Sequence, residues 1–148
     1  MRPQSIELFE KVYLGSIGVG LVNTALSWGA LTASVQAASP TGAVALGPGL
    51  MIGSIAFGLI ISLVLWFFIA RRASNVAKWI YVVITAIGVF GVLSSLANPL
   101  APKGLTMIGG MIATALQVFG AWLLFKPDAV AWFESKGADG PGDPSTFD

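Results

Sequence analysis

The sequence predicts an all-α integral membrane protein, a bundle of four transmembrane helices joined as antiparallel hairpins, with short interfacial helices at both ends. Three observations carry this expectation. Of the 148 residues, 55% are hydrophobic and only 10% charged, and the mean hydropathy of +0.82 is far above what a water-covered domain needs. The apolar residues come in long runs rather than in the spaced pattern of a half-buried element. The charged residues fall outside those runs or at their edges.

About 30 Å of hydrocarbon takes roughly 20 helical residues at 1.5 Å each. Four runs meet that length, residues 13–35, 48–70, 76–97 and 104–125. Before the first, residues 1–12 place Ile6, Phe9 and Tyr13 at helical spacing opposite Glu7, Glu10 and Lys11, which predicts an amphipathic lead-in on the cytoplasmic membrane surface. Val35-Gln36-Ala37 has the small-residue spacing of a signal-peptidase site. The run before it is longer than a signal-peptide core of about 7 to 15 residues and follows Glu7 and Glu10, so it reads as a helix of the mature chain.

The connections carry their own punctuation. Ser39-Pro40-Thr41-Gly42 and Gly47-Pro48-Gly49 separate the first two runs, and Pro48 suits a first helical position. Arg71-Arg72-Ala73-Ser74-Asn75 joins the second to the third, with Ser74 or Asn75 as N-cap. Pro99 and Pro102 end the third run before the fourth begins. After it, residues 126–136 restart as a short interfacial helix from Pro127, with Ala129, Trp132 and Phe133 on its apolar face. Residues 137–148 form a polar tail.

Arg2, Lys11, Arg71, Arg72, Lys78, Lys126 and Lys136 fall on one side of this layout and only Lys103 on the other, which predicts both termini in the cytoplasm. Arg71, Arg72, Trp79, Trp132 and Phe133 are the expected interface anchors, with Tyr13, Trp66, Tyr81 and Trp122 nearby. Lys11-Val12-Tyr13 and Lys78-Trp79-Ile80-Tyr81 form a faint internal echo, each opening a glycine-containing helix. Arg71 and Arg72 also suit anionic lipid head groups.

The chain has no Cys and no His, which excludes disulfides, thiol chemistry, thiolate or imidazole metal sites and His-held haem or chlorophyll. A net charge of +1 gives no basis for a nucleic-acid partner. No titratable group lies in the middle of any run, whereas proton-coupled transporters and voltage sensors need such stations. Small multidrug exporters of similar size use a carboxylate in the first helix, where this sequence offers Asn23. No nucleophile with its base and no ligand cluster appears, so the expectation is a non-enzyme without cofactor.

What remains is packing and polarity. Gly49 and Gly53 form a GxxxG pair, with Gly58 on a neighbouring stripe; with Gly20 and Gly110 they are the expected helix-packing positions. Ser16, Gly20, Asn23 and Ser27 lie on one stripe of the first helix, and Gly110, Thr114, Gln117 and Ala121 repeat those offsets on the fourth. Counted from the cytoplasmic edge, Asn23 and Gln117 reach about 15 and 12 Å, which predicts that they face each other inside the bundle.

The segments running from Phe68 through Arg71-Arg72-Ala73-Ser74-Asn75 to Trp79, and from Leu123 through Lys126-Pro127-Asp128-Ala129 to Trp132-Phe133, resemble those of small uncharacterised four-helix bacterial inner-membrane proteins. The resemblance implies a bacterial inner membrane and no known activity. The leading expectation is an accessory subunit of a larger membrane complex or a self-associating bundle, with lipids, other subunits or itself as partners. The alternative is a small channel or carrier for a neutral or lipophilic solute, lined by Asn23 and Gln117.

Overall fold

The computed structural model describes residues 2–38, 48–98 and 103–135. The expected first connection around Ser39 to Gly47, the Pro99 to Pro102 turn and the polar tail lie outside these residues. The described residues form six helices: α1 (Gln4–Leu26), α2 (Trp28–Ala38), α3 (Pro48–Arg72), α4 (Asn75–Ala97), α5 (Leu105–Leu123) and α6 (Pro127–Glu134). Among them Gly49–Arg72, Asn75–Ala97 and Leu105–Leu123 are long and apolar enough to cross a membrane, so the described residues form an all-helical fold of membrane type.

The first expected run does not form one regular helix. It divides at Ser27, where φ −96° and ψ 4° interrupt α1 before α2 begins. Ser27 is buried, and its Oγ donates to Thr106 Oγ1 at 2.8 Å, an interhelical bond that turns the residue toward α5. Helical hydrogen bonding still crosses the break: Ser27 N–H donates to the Asn23 carbonyl at 3.0 Å, and Leu31 N–H to the Ser27 carbonyl at 2.9 Å. With Glu7, Glu10 and Lys11 in its first turns and an end at Leu26, α1 falls short of a membrane-length apolar helix, and α2 has 11 residues.

The apolar face expected of the lead-in is covered by the chain itself: α1 is continuous from Gln4, and Ile6, Phe9 and Tyr13 are buried among the other helices. Their partners come from the end of α3, the start of α4, the end of α5 and α6, which together form the buried apolar cluster.

The most extensive helix contact joins α1 to α5. Ser5 meets Asp128 just past α5, Phe9 lies against Gly120, Asn23 against Gly109 and Ser27 against Thr106, so residue numbers fall along α5 as they rise along α1. Two residues, Ala73 and Ser74, separate α3 from α4. Ala73 adopts a left-handed φ of 46°, which lets Ser74 N–H reach the Phe68 carbonyl and close the end of α3. Ser74 then caps α4, its Oγ accepting from Ala77 N–H at 3.3 Å. α6 opens on Pro127, whose missing N–H costs a helix start nothing.

Candidate functional site

Above the buried cluster, α1, α3, α4 and α5 enclose a cavity of about 250 Å³. Its floor is aromatic. The Tyr13 and Tyr81 ring centroids lie 5.2 Å apart at 62°, and Phe9 sits beneath both at 5.3 and 5.6 Å. Each tyrosine clamps a neighbouring helix: Tyr13 Oη donates to the Ser62 carbonyl and Tyr81 Oη to the Gln117 carbonyl, both at 2.8 Å. Gly120 gives this floor its room, since a Cβ there would stand 3.0 Å from Tyr81 Oη and 3.5 Å from the Phe9 ring.

Ser16, Ser62 and Gln117 bring polar groups to the walls, and Ile17, Leu65 and Gly58 complete them. Ser16 Oγ donates to the Tyr13 carbonyl at 2.7 Å. The Gln117 side-chain amide is half-buried and has no hydrogen-bond partner among the described residues, so its two donors and one acceptor remain unanswered by protein. Ile61 and Ile84 line the cavity and are also 39% and 44% exposed, which puts its rim between α3 and α4.

Asn23 and Gln117 do not meet. Asn23 lies against Gly109, where an added Cβ would collide with the amide, and it lines an apolar groove of about 490 Å³ on the outside of α1 and α5. Counting both depths from Tyr13 and Phe125 placed the two amides level. The packing register instead sets Phe9 opposite Gly120 and Asn23 opposite Gly109, so Gln117 is eight residues, about 12 Å, away along α5.

The glycines divide in a similar way. A Cβ on Gly20, Gly49, Gly53, Gly58 or Gly110 would meet no atom within 4 Å, so none of them makes a close helix crossing among the described residues. The close approaches occur at Gly109 and Gly120.

Below the floor, the basic residues are held by rings and carboxylates. Glu10 accepts from Arg2 at 2.6 Å and from Arg71 at 3.3 Å, and Arg71 lies over Trp66 while Arg72 lies over Phe67. Trp79 is exposed and meets Phe125 edge-on at 5.8 Å. Lys78 is 7% exposed, its ammonium 4.9 Å from the Phe125 ring and 4.8 Å from Phe133. Trp132 and Phe133 are buried against the chain itself. Two hydrogen bonds from Ser5, Oγ to Oδ1 at 2.7 Å and N–H to Oδ2 at 3.2 Å, tie α6 to α1 and hold the Asp128 carboxyl below the usual carboxylate range.

Sequence reasoning placed Tyr13 and Tyr81 in an interfacial belt and missed Ser62 as a site residue. A signal was present, because each echo opens on a lysine followed within three residues by a tyrosine, and these are the rings that touch. Compared with known proteins, the chain matches no family model, no curated protein and no solved structure.

Proposed function

We propose that the chain is a four-span protein of a bacterial inner membrane, with both termini in the cytoplasm and a non-enzymatic role. It packs as an accessory subunit against a larger membrane complex or against further copies of itself. Helical bonding across Ser27 supports reading α1 and α2 as one span, and the contacts along α1 and α5 support an antiparallel arrangement. Arg2, Arg71, Lys78 and Lys126 gather at the end that holds α6, while Lys103 precedes α5 at the other, which supports the orientation.

The observation that carries the subunit reading is the pair Gly49 and Gly53. A helical glycine costs about 0.5–1 kcal/mol relative to alanine, and helices recover this where small residues let backbones approach. Among the described residues no atom lies within 4 Å of a Cβ added at either glycine, although they lie one turn apart on α3. A partner helix from outside would use both. Purification in mild detergent, with mass measurement and identification of co-purifying proteins, tests this reading. We expect a complex larger than the 15.4 kDa chain that Gly53→Leu dissociates; a monomer unchanged by the substitution overturns it.

A second reading, a carrier for a neutral or lipophilic solute, is favoured by the cavity that reaches Gln117. Flux into proteoliposomes tests it.

A further inference from the structure

We infer that the cavity above Tyr13 and Tyr81 binds a neutral, compact molecule bearing a hydroxyl donor on an apolar body, such as a phenol. The inference shares its site with the carrier reading but concerns occupancy alone, and it holds whether or not the molecule is moved across the membrane.

Volume is the first argument. A cavity of about 250 Å³ exceeds the roughly 150 Å³ that accommodates benzene in an engineered protein interior, so a substituted ring fits. Hydrogen-bond polarity is the second. Tyr13, Ser16 and Tyr81 each donate their hydroxyl hydrogen to a backbone carbonyl, so toward the cavity they offer oxygen lone pairs. Gln117 adds a carbonyl oxygen and the site's unengaged N–H donors. Such a lining is rich in acceptors and answers a ligand that brings O–H groups.

Charge is the third argument: no Asp, Glu, Lys or Arg lines the cavity, so an ion would be left uncompensated. The apolar side of the ligand has Ile17 and Leu65 to pack on, and the half-exposed Ile61 and Ile84 make the rim passable for a molecule already dissolved in lipid. An unsatisfied amide such as Gln117 is expensive in hydrocarbon, and a hydroxyl that both accepts from it and donates to a tyrosine oxygen removes that cost.

The test compares phenol with anisole, which keeps the ring and loses the donor, on the full chain in detergent by saturation-transfer NMR and thermal shift. Phenol is expected to bind about tenfold more tightly than anisole. Gly58→Leu is the decisive variant, because its side chain enters space where a Cβ meets nothing within 4 Å and it leaves every polar group in place. It should keep the fold by circular dichroism and abolish phenol binding, while Gln117→Leu should erase the preference over anisole. Equal binding of both probes, binding that survives Gly58→Leu, or no binding at all, as in a cavity filled by water, overturns the inference. Binding without proteoliposome flux removes the carrier reading and leaves this one standing.

Discussion

The two ends of the bundle are built on different principles. At the end that holds α6, Ile6, Phe9, Ile69, Leu123, Leu124 and Ala129 are completely buried, and the Lys78 ammonium is held against two rings rather than left in the open. Toward the other end, α3 and α4 expose Phe57, Ile60, Ile87 and Phe90, and the buried groups there are few, Ser27, Met51 and Ala113 among them. Both ends are apolar in composition, yet only one is packed on itself. Lipid is as apolar as leucine, so exposed side chains in the spanning region need no covering, and only contacts that exclude lipid by shape hold helices together. Stability is thus concentrated at the α6 end, which leaves the α3 and α4 faces free for other uses.

Two phenylalanines test this contrast most severely. Phe9 is 0% exposed and Phe90 is 72% exposed. Phe9→Ala should cost about 3–5 kcal/mol, enough to collapse the thermal midpoint in detergent, because the cavity left under Tyr13 and Tyr81 cannot close without moving four helices. Phe90→Ala should stay within about 0.5 kcal/mol. Equal losses would show that the far half is packed as tightly as the near one.

Two glycines sharpen the contrast at smaller scale. Gly120→Leu drives a side chain into Phe9 and Tyr81 Oη and should destabilise the chain by about 1–3 kcal/mol, measured by the same melts. Gly53→Leu meets nothing and should leave the melting of the monomer unchanged. A loss at Gly53 in a monomeric preparation would mean that α3 is closer to its neighbours than its open surroundings indicate.

Acid should loosen the α6 end selectively, by less than about 1 kcal/mol since Asp128 is exposed. Hydrogen bonds from Ser5 lower the folded-state pKa of Asp128 below its ordinary 3.8. The stabilisation is therefore fully present above that value and is lost as pH falls through the folded one. Protection of α6 amides against hydrogen exchange, relative to their intrinsic rates, should fall at low pH in the wild type, and in Ser5→Ala that acid response should disappear. An identical acid response in both would break the link between Ser5 and Asp128.

The runs of apolar residues, the Ser74 cap and the Pro127 start were legible because each depends on local chemistry. Register was not. Hydropathy reports that a segment prefers lipid and is silent on which of its residues face another helix, so Gly49, Gly53 and Gly58 attracted notice while Gly120, against Tyr81 and Phe9, did not. Lys78 shows the same limit: its side chain could reach outward from a helix start, and only the positions of Phe125 and Phe133 reveal a buried cradle for its ammonium. The cavity was half visible, since Gln117 and Ser16 stood out as polar residues on apolar helices while Ser62 did not. Its tyrosine floor was hidden because a tyrosine near a membrane edge has an ordinary interfacial use.

The smallest effect is a coupling expected to be absent. Asn23 and Gln117 would show an interaction energy if they shared a hydrogen bond, as residues in one network do. In the structure Asn23 lies against Gly109 and Gln117 faces the cavity beside Gly88, whose added Cβ would stand 3.8 Å from Gln117 Oε1. A separation of about 12 Å along α5, with no shared partner, predicts additivity to within about 0.3–0.5 kcal/mol for Asn23→Ala, Gln117→Ala and the double variant. Each single change should itself be mild, since interhelical polar bonds in membranes average about 0.6 kcal/mol. A coupling energy above about 1 kcal/mol would require the amides to reach each other and would place α1 and α5 in a different register from the one that joins Ser27 to Thr106.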